Sequence, residues 1–462
     1  MTIWQPNLEK YSSPKYKALA QAIDDAIAKG ELRPGEKLPT HRKLADLLGV
    51  TVGTVTRAYA EAERKHLIES KIGSGTFVRT TGSGTSFEIS HAEQGVIDLG
   101  FSFALPLNQA ELLSQELQLL SQDKKILQHI LEYQPPGGML HHREAGLQWL
   151  DITGIQSAEM ERLIITNGGQ HGFHSATAAL CQAGDTALSC GLTYPGFSAV
   201  AQQLGLRHVG LEWDDQGVLP EAVKLACQRF KPRILYVNTR INNPTCEVMT
   251  EARIDSIAEI LREHQVWVIE DDVQGCLQDK TLPTFTNRHP DISVFVTGTS
   301  KALTGGLRIG YLLAPQAVDR AIRSAVQASC WMAAPMMAEI VSRWITNGTA
   351  QNIINSQRDI MDKRQKLVGE FLKDSSFKAA EKGYNVWLPL PETRRAQEFT
   401  KSLANRKVLV KPSTAFAAGH FNAPQAIRFC TGGHTSLADL RTALEIISDE
   451  LKQPGPELDF SH

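Results

Sequence analysis

The chain of 462 residues lacks most features that would take it out of the compact, water-facing class. Its longest uncharged, mainly apolar stretch, Ala328 to Ala338, is interrupted by Pro335 and falls short of the ~20 residues that a membrane helix needs. No membrane span is expected. The seven cysteines are scattered and form no CxxC pair, which argues against both a disulfide framework and a cysteine-bound zinc. No metal is expected, and a reducing cytoplasm fits best. Met1 to Lys10 shows no basic-then-apolar leader pattern. There is no internal repeat and no GxGxxG, so a dinucleotide fold has no support. Net charge is small, at -2.

What is present is 42% hydrophobic and 21% charged, an ordinary globular composition at a length that implies about two or three domains. The small net charge hides an asymmetry. Residues 1–80 hold 13 Lys and Arg against 9 Asp and Glu, an excess of +4 that leaves -6 on the remainder. A basic head on an acidic body points to nucleic acid at one end.

The head carries helix-turn-helix grammar. Pro14 to Gly30 places Tyr16, Leu19, Ala20, Ile23 and Ile27 on one helical face and ends in a glycine stop. Thr40 is placed to cap a short helix ending at Leu48, Gly49 breaks it, and Thr51 is placed to cap a second helix to about His66. That second helix opens with Thr51, Thr54, Thr56 and Arg57, groups suited to base edges and phosphates, while Val52, Val55, Ala58 and Tyr59 are expected to face inward. Ile68 to Val78 reads as two short strands around a glycine-rich hairpin, a wing that could lie along a groove.

Over about residues 11–80 these pieces resemble the GntR family of winged-helix bacterial repressors. The matching segments are Gly35–Pro39 (GEKLP), Pro39–Ala45 (PTHRKLA), Leu48–Tyr59 (LGVTVGTVTRAY) and Gly73–Val78 (GSGTFV). By that resemblance Arg42, Thr51, Thr54, Arg57 and Gly75 fall at DNA-contacting positions. One such head binds DNA weakly, so paired heads, and hence a homodimer on double-stranded operator DNA, are expected. Residues 81–96, opening in Gly82-Ser83-Gly84, read as a flexible linker. Residues 97–450 read as the body and 451–462 as a tail.

In the body, apolar strands at Leu163–Thr166, Ile234–Val237, Val266–Ile269 and Val294–Thr297 alternate with helical segments. This is the α/β pattern of an open, mainly parallel sheet, with a smaller lobe over about residues 360–450. Ligands in such sheets gather at the carboxyl ends of the strands. One of those ends carries Thr299-Ser300-Lys301, with Arg308 seven residues on. A lysine amine can condense with a carbonyl as a Schiff base if its surroundings lower its pKa, and a hydroxyl and a guanidinium can hold a phosphate. Gly168-Gly169-Gln170 turns from strand to helix and offers backbone N–H groups of Gly169 and Gln170 to an anion. Tyr194, before Pro195, offers a ring face. Asn242-Asn243-Pro244 supplies an amide, and Glu270-Asp271-Asp272 ends a strand in carboxylates, one of which could keep a ring nitrogen protonated. Taken together, in this order, they point to pyridoxal phosphate.

The set resembles class I/II aminotransferases of fold type I over about residues 97–450, and its fusion to a GntR head resembles the MocR subfamily of regulators. The resemblance places Lys301 on the Schiff-base lysine, Asp271 on the ring-nitrogen partner, Asn243 on the ring-oxygen partner and Tyr194 on the stacking ring. Gly169, Gln170, Ser300 and Arg308 fall on the phosphate cradle. Tyr133 matches a tyrosine that reaches the neighbouring subunit's phosphate, which would place the site at a dimer interface; an exchange of heads and bodies between the subunits is also expected. Arg428 matches the arginine that clamps a substrate carboxylate. Three positions depart: Val273 stands where the family usually has tyrosine, Cys246 where it has glycine, and Gly298 where it has a cradle serine. Three readings follow. The first is a regulator that senses pyridoxal phosphate or an amino compound; the second is an active aminotransferase with an appended DNA-binding head; the third is a body that serves only as a dimerisation scaffold.

Overall fold

The computed structural model describes residues 4–11, 14–28, 31–33, 35–64, 67–71, 75–78, 95–156, 158–391 and 393–453. Most of the expected linker and tail, together with Gly30, His66 and the tip of the wing, lie outside these. Two compact units result, one built on the head and one on the body.

In the head, α1 (Lys15–Ala28), α2 (His41–Leu48) and α3 (Val52–Arg64) precede the antiparallel strands β1 (Ile68–Lys71) and β2 (Gly75–Val78). The capping residues explain where the helices begin and end. The Thr40 hydroxyl accepts from Lys43 N–H at 3.4 Å, the Thr51 hydroxyl from Thr54 N–H at 3.2 Å, and Gly49 closes α2 in the left-handed region at φ 60°. Leu19, Ile23, Leu44, Val55, Ala58, Tyr59 and Val78 form the core. Val52 departs from expectation, being 43% exposed. It occupies the first position of α3, one turn before Val55, where the helix has run past the core.

In the body, seven strands form one sheet: β3 (Leu163–Thr166), β4 (Thr186–Cys190), β5 (Arg207–Leu211), β6 (Ile234–Val237), β7 (Trp267–Asp271), β8 (Ser293–Gly298) and β9 (Gly310–Leu313). Their order is β3-β9-β8-β7-β6-β4-β5; β9 runs antiparallel to both neighbours and every other pairing is parallel. Parallel strands buried on both faces read as continuous hydrophobic runs, and here alternate residues serve opposite layers. Leu163, Ile165, Phe295, Tyr311 and Leu313 pack with Trp149 and Trp344 on one face. Ile164, Val294, Val296 and Leu312 pack with Phe173 and Phe197 on the other.

The smaller lobe is an antiparallel sheet of β10 (Lys378–Ala379), β11 (Asn385–Pro389), β12 (Lys411–Pro412) and β13 (Ala426–Cys430), in the order β10-β11-β13-β12. It is backed by helices Ala396–Asn405 and Leu437–Lys452, and the 23-residue helix Thr349–Phe371 contributes Leu367 and Val368 to its core. The first described strand of the body, Ile97–Asp98, pairs in parallel with Val408–Leu409, and Leu99 is buried in that same core. The lobe therefore takes in residues from both ends of the body, where sequence placed it only at the C-terminal end.

Phe295 tests this arrangement, because it is fully buried at the middle of β8. Phe295→Ala should lower body stability by about 3–5 kcal/mol through the cavity it leaves, seen as a lower midpoint in urea unfolding followed by tryptophan fluorescence.

Candidate cofactor-binding site

Strand β7 ends in three consecutive carboxylates, and their partners separate them. Glu270 accepts from the Thr239 and Thr286 hydroxyls and from the N–H groups of Phe285 and Thr286, all within 2.8 Å. Asp272 is locked in a buried, two-pronged pair with Arg240. Both are structural. Asp271 alone is left to face the crevice at the strand ends. It accepts from the Tyr236 hydroxyl at 2.5 Å and from Val273 N–H at 3.0 Å. Desolvation lifts its carboxyl to about 6 against those two hydrogen bonds, with Asp272 adding to the rise and Lys301 opposing it.

Lys301 follows β8. Its amine donates to the backbone carbonyl of Ser102 and lies 5.7 Å from the centre of the Phe103 ring. Burial lowers the amine to about 8; the cations Arg428 and Arg308 push the same way, while Cys430 and Asp271 oppose. A lysine in that range supplies the neutral amine that carbonyl chemistry needs.

An anion cradle lies beside it. The helix Gly169–Leu180 begins after Gly168 at φ 82°, and its first N–H groups point out of the turn. The Arg308 guanidinium reaches Ser300 Oγ at 3.1 Å, its backbone held in the left-handed region at φ 53°. Gly168 favours glycine by its positive φ, and the absence of a Cβ there lets the Arg308 guanidinium lie against the turn. Two of the departures from the family pattern also acquire a physical reading. A Cβ on Gly298 would lie 3.2 Å from the nitrogen of Gly169, and a Cβ on Gly169 would lie 2.4 Å from Val273 Cγ2. The valine packs against the glycine turn. Cys246 holds φ 66°, a left-handed conformation in which glycine is free of strain.

Tyr194 precedes the helix Pro195–Gln203. Its hydroxyl donates to Gln170 Oε1 at 3.2 Å, and burial raises it to about 12. Asn243 precedes a cis proline, and its buried side-chain oxygen has no hydrogen-bond partner. On the small lobe, Arg428 is buried, stacks 4.8 Å from the Phe416 ring centre and touches Cys430 Sγ, while its Nε has no partner. Such unspent groups are expensive to bury unless a ligand meets them.

Several residues here were not signalled by sequence. Tyr236 is an aromatic in an aliphatic strand, which reads as core. The Ser102 hydroxyl donates to Asn385 Oδ1 at 2.7 Å and lies 3.2 Å from Cys430 Sγ, but Ser102 belongs to a stretch without periodicity. Tyr133 is not brought into this set. It is 84% exposed, near Trp331 at 5.7 Å between ring centres. In the head, Arg42, Thr51, Arg57 and Gly75 are exposed and Thr54 is half-buried. The Thr51 and Thr54 hydroxyls bond each other at 2.9 Å.

The chain belongs to the aminotransferase class I and II family, which it matches over residues 96–447; residues 15–78 match the bacterial regulatory proteins of the gntR family. The two together make the MocR arrangement. Over 96% of both chains it is 27% identical to the HTH-type transcriptional regulator YdeF of Bacillus subtilis strain 168. It is also 25% identical to the mouse mitochondrial kynurenine/alpha-aminoadipate aminotransferase, over 63% of this chain and 74% of that one. The body shares its fold with an archaeal alanine:glyoxylate aminotransferase, at a TM-score of 0.69 and 20% identity, covering 77% of this chain and 91% of the other. Pyridoxal phosphate is the cofactor of this fold. The residues present fit it: a desolvated lysine, a buried carboxyl and a glycine-lined cradle. Among the described residues no helix is long and apolar enough to cross a membrane.

The lowered pKa of Lys301 has a signature. Capture of an aldehyde by Lys301, trapped with borohydride and located by peptide mapping, should rise with pH up to about 8 and then level off. A water-exposed lysine would continue to gain up to about 10.4. Labelling that climbs like a surface lysine's would contradict the burial described.

Proposed function

We propose that the chain is a transcription regulator whose winged head binds double-stranded operator DNA and whose body holds pyridoxal phosphate as part of its sensing site. The observation that carries this reading is the joining of a helix-turn-helix that holds Arg42 of α2, Thr51 and Arg57 of α3 in water to a body that keeps the lysine–carboxylate–cradle set. The cofactor supplies an aldehyde for covalent attachment and an electron-withdrawing ring. Lys301 attaches it, Asp271 meets the ring nitrogen and Asn243 the ring oxygen. Tyr194 stacks on the ring, and the phosphate is held by Ser300, Arg308 and the N–H groups of Gly169 and Gln170. Tyr133, in water on the single chain, reaches the phosphate site of a second copy in a homodimer with heads and bodies exchanged. Arg428 receives the carboxylate of an amino-compound effector. Domain limits of 1–80, 81–96 and 97–450 accompany this reading.

Ligand occupancy regulates only if it favours one arrangement of the paired heads by a differential free energy. Val273 and Cys246 support sensing over turnover, because each replaces a residue usual in the family's catalysts while leaving the attachment set whole. The second reading, an active aminotransferase, is favoured by Arg428, whose buried Nε awaits a partner. Multiple-turnover exchange between an amino acid and a keto acid would establish that reading; a single half-turnover or none would not.

The test uses the full chain and DNA selected from a random-sequence pool. Arg57→Ala should weaken binding across all sequences and reduce the slope of log affinity against log salt by about 1. Lys301→Ala should abolish the visible absorption that pyridoxal phosphate acquires on the wild-type protein, and with it the ligand dependence of DNA binding. Unchanged absorption in Lys301→Ala, or DNA binding indifferent to pyridoxal phosphate and amino compounds, would overturn the proposal.

A further inference from the structure

Away from the strand ends, two helices of the body bring three metal-binding side chains to one point. His141 and His142 lie in the first turn of the helix Leu140–Ile152, and Glu339 lies in the helix Pro335–Thr346. Neighbouring residues on a helix diverge by about 100°, yet both imidazoles turn to the same carboxylate oxygen. Nε2 of His141 is 2.7 Å from Glu339 Oε2, Nε2 of His142 is 3.0 Å from it, and the ring centres are 4.0 Å apart. All three donor atoms lie within 4.8 Å of one another. Sequence offered no metal spacing for this set, because His142 and Glu339 are 197 residues apart.

The surroundings suit a cation. Arg343 Nε holds the other oxygen of Glu339 at 2.7 Å, which fixes the carboxylate and leaves Oε2 to the imidazoles. That one guanidinium also faces Glu116 at 3.5 Å and Asp123 at 3.4 Å, so three carboxylates surround a single positive charge. The His141 side chain is 41% exposed while those of His142 and Glu339 are buried, so an ion can enter from water on one side.

We propose that His141, His142 and Glu339 form a zinc site that staples the helix Leu140–Ile152 to the helix Pro335–Thr346. Two imidazoles and one carboxylate are a zinc-type donor set with a fourth position open to water, whereas calcium and magnesium prefer all-oxygen shells. The ion takes the place of the Nε2 hydrogens that now bridge to Glu339 Oε2; each imidazole then carries its hydrogen on Nδ1 and offers the Nε2 lone pair to the metal.

The full chain, without a histidine tag and stripped with a chelator, is titrated with cobalt(II) as a visible probe and with zinc. One equivalent per protomer is expected, with a cobalt d–d band and a zinc-dependent rise in melting temperature. His141→Ala, at a partly exposed position, and Glu339→Gln should each lower zinc affinity at least tenfold and remove the thermal shift. Circular dichroism is used to confirm the fold of both variants. No binding at micromolar zinc would overturn the proposal. So would zinc that survives both variants, as it would if held by Cys330 and His171, whose Sγ and Nε2 lie 3.5 Å apart.

Discussion

Desolvation at the carboxyl edge of the large sheet is the constraint on which the body turns. An amine and a carboxyl group that would both ionise fully in water are taken out of it together, and the withdrawal moves their affinities for protons toward each other: Asp271 rises to about 6 and Lys301 falls to about 8. Neither shift could arise in a shallow groove, because burial is the largest cause of both. It depends on the sheet being covered on both faces and on the Ser102–Phe103 segment lying over the lysine. The same covering makes any unmatched polar atom costly, and the Asn243 oxygen and Arg428 Nε are two such atoms.

Around this edge the chain divides its charged groups between architecture and chemistry. Glu270 and Asp272, flanking Asp271, are consumed by neighbouring elements: one ties β7 to the turn at Phe285 and Thr286, the other neutralises buried Arg240. Alternation along a strand sends successive side chains to opposite faces, so a run of three carboxylates cannot all serve one site. The cradle follows a similar economy. Glycines at 168, 169 and 298 let backbone approach guanidinium and backbone approach backbone, and Val273 fills the space beside that turn.

Much of this could be read from the residues alone, wherever a local rule sufficed. Thr40, Gly49 and Thr51 announced the ends of the head helices because capping is decided within one turn. The apolar runs at Leu163, Ile234 and Val294 announced strands because a strand buried on both faces leaves no polar side. That Gly169, Asp271 and Lys301 lie at or just after the carboxyl ends of strands was legible because the apolar runs before them mark those strands. What could not be read depended on distant partners. Tyr236 looks like core until Asp271 is seen 2.5 Å away. Ser102 is separated from Lys301 by 199 residues, and Glu339 from His142 by 197. Val52 followed the helical period yet faces water, because periodicity gives direction and not where the core stops.

The pairing of Ile97–Asp98 with Val408–Leu409 decides which part of the body takes up the chain that arrives from the head. The backbone continues that attachment, with Leu99 N–H donating to the Leu409 carbonyl at 2.9 Å and Cys430 N–H to the Leu99 carbonyl at 2.8 Å. The body's N-terminal strand is therefore held by the lobe that carries Arg428 and not by the sheet that ends in Lys301. Ile97–Asp98, Leu99 and the strand that carries Arg428 thus belong to one packed lobe.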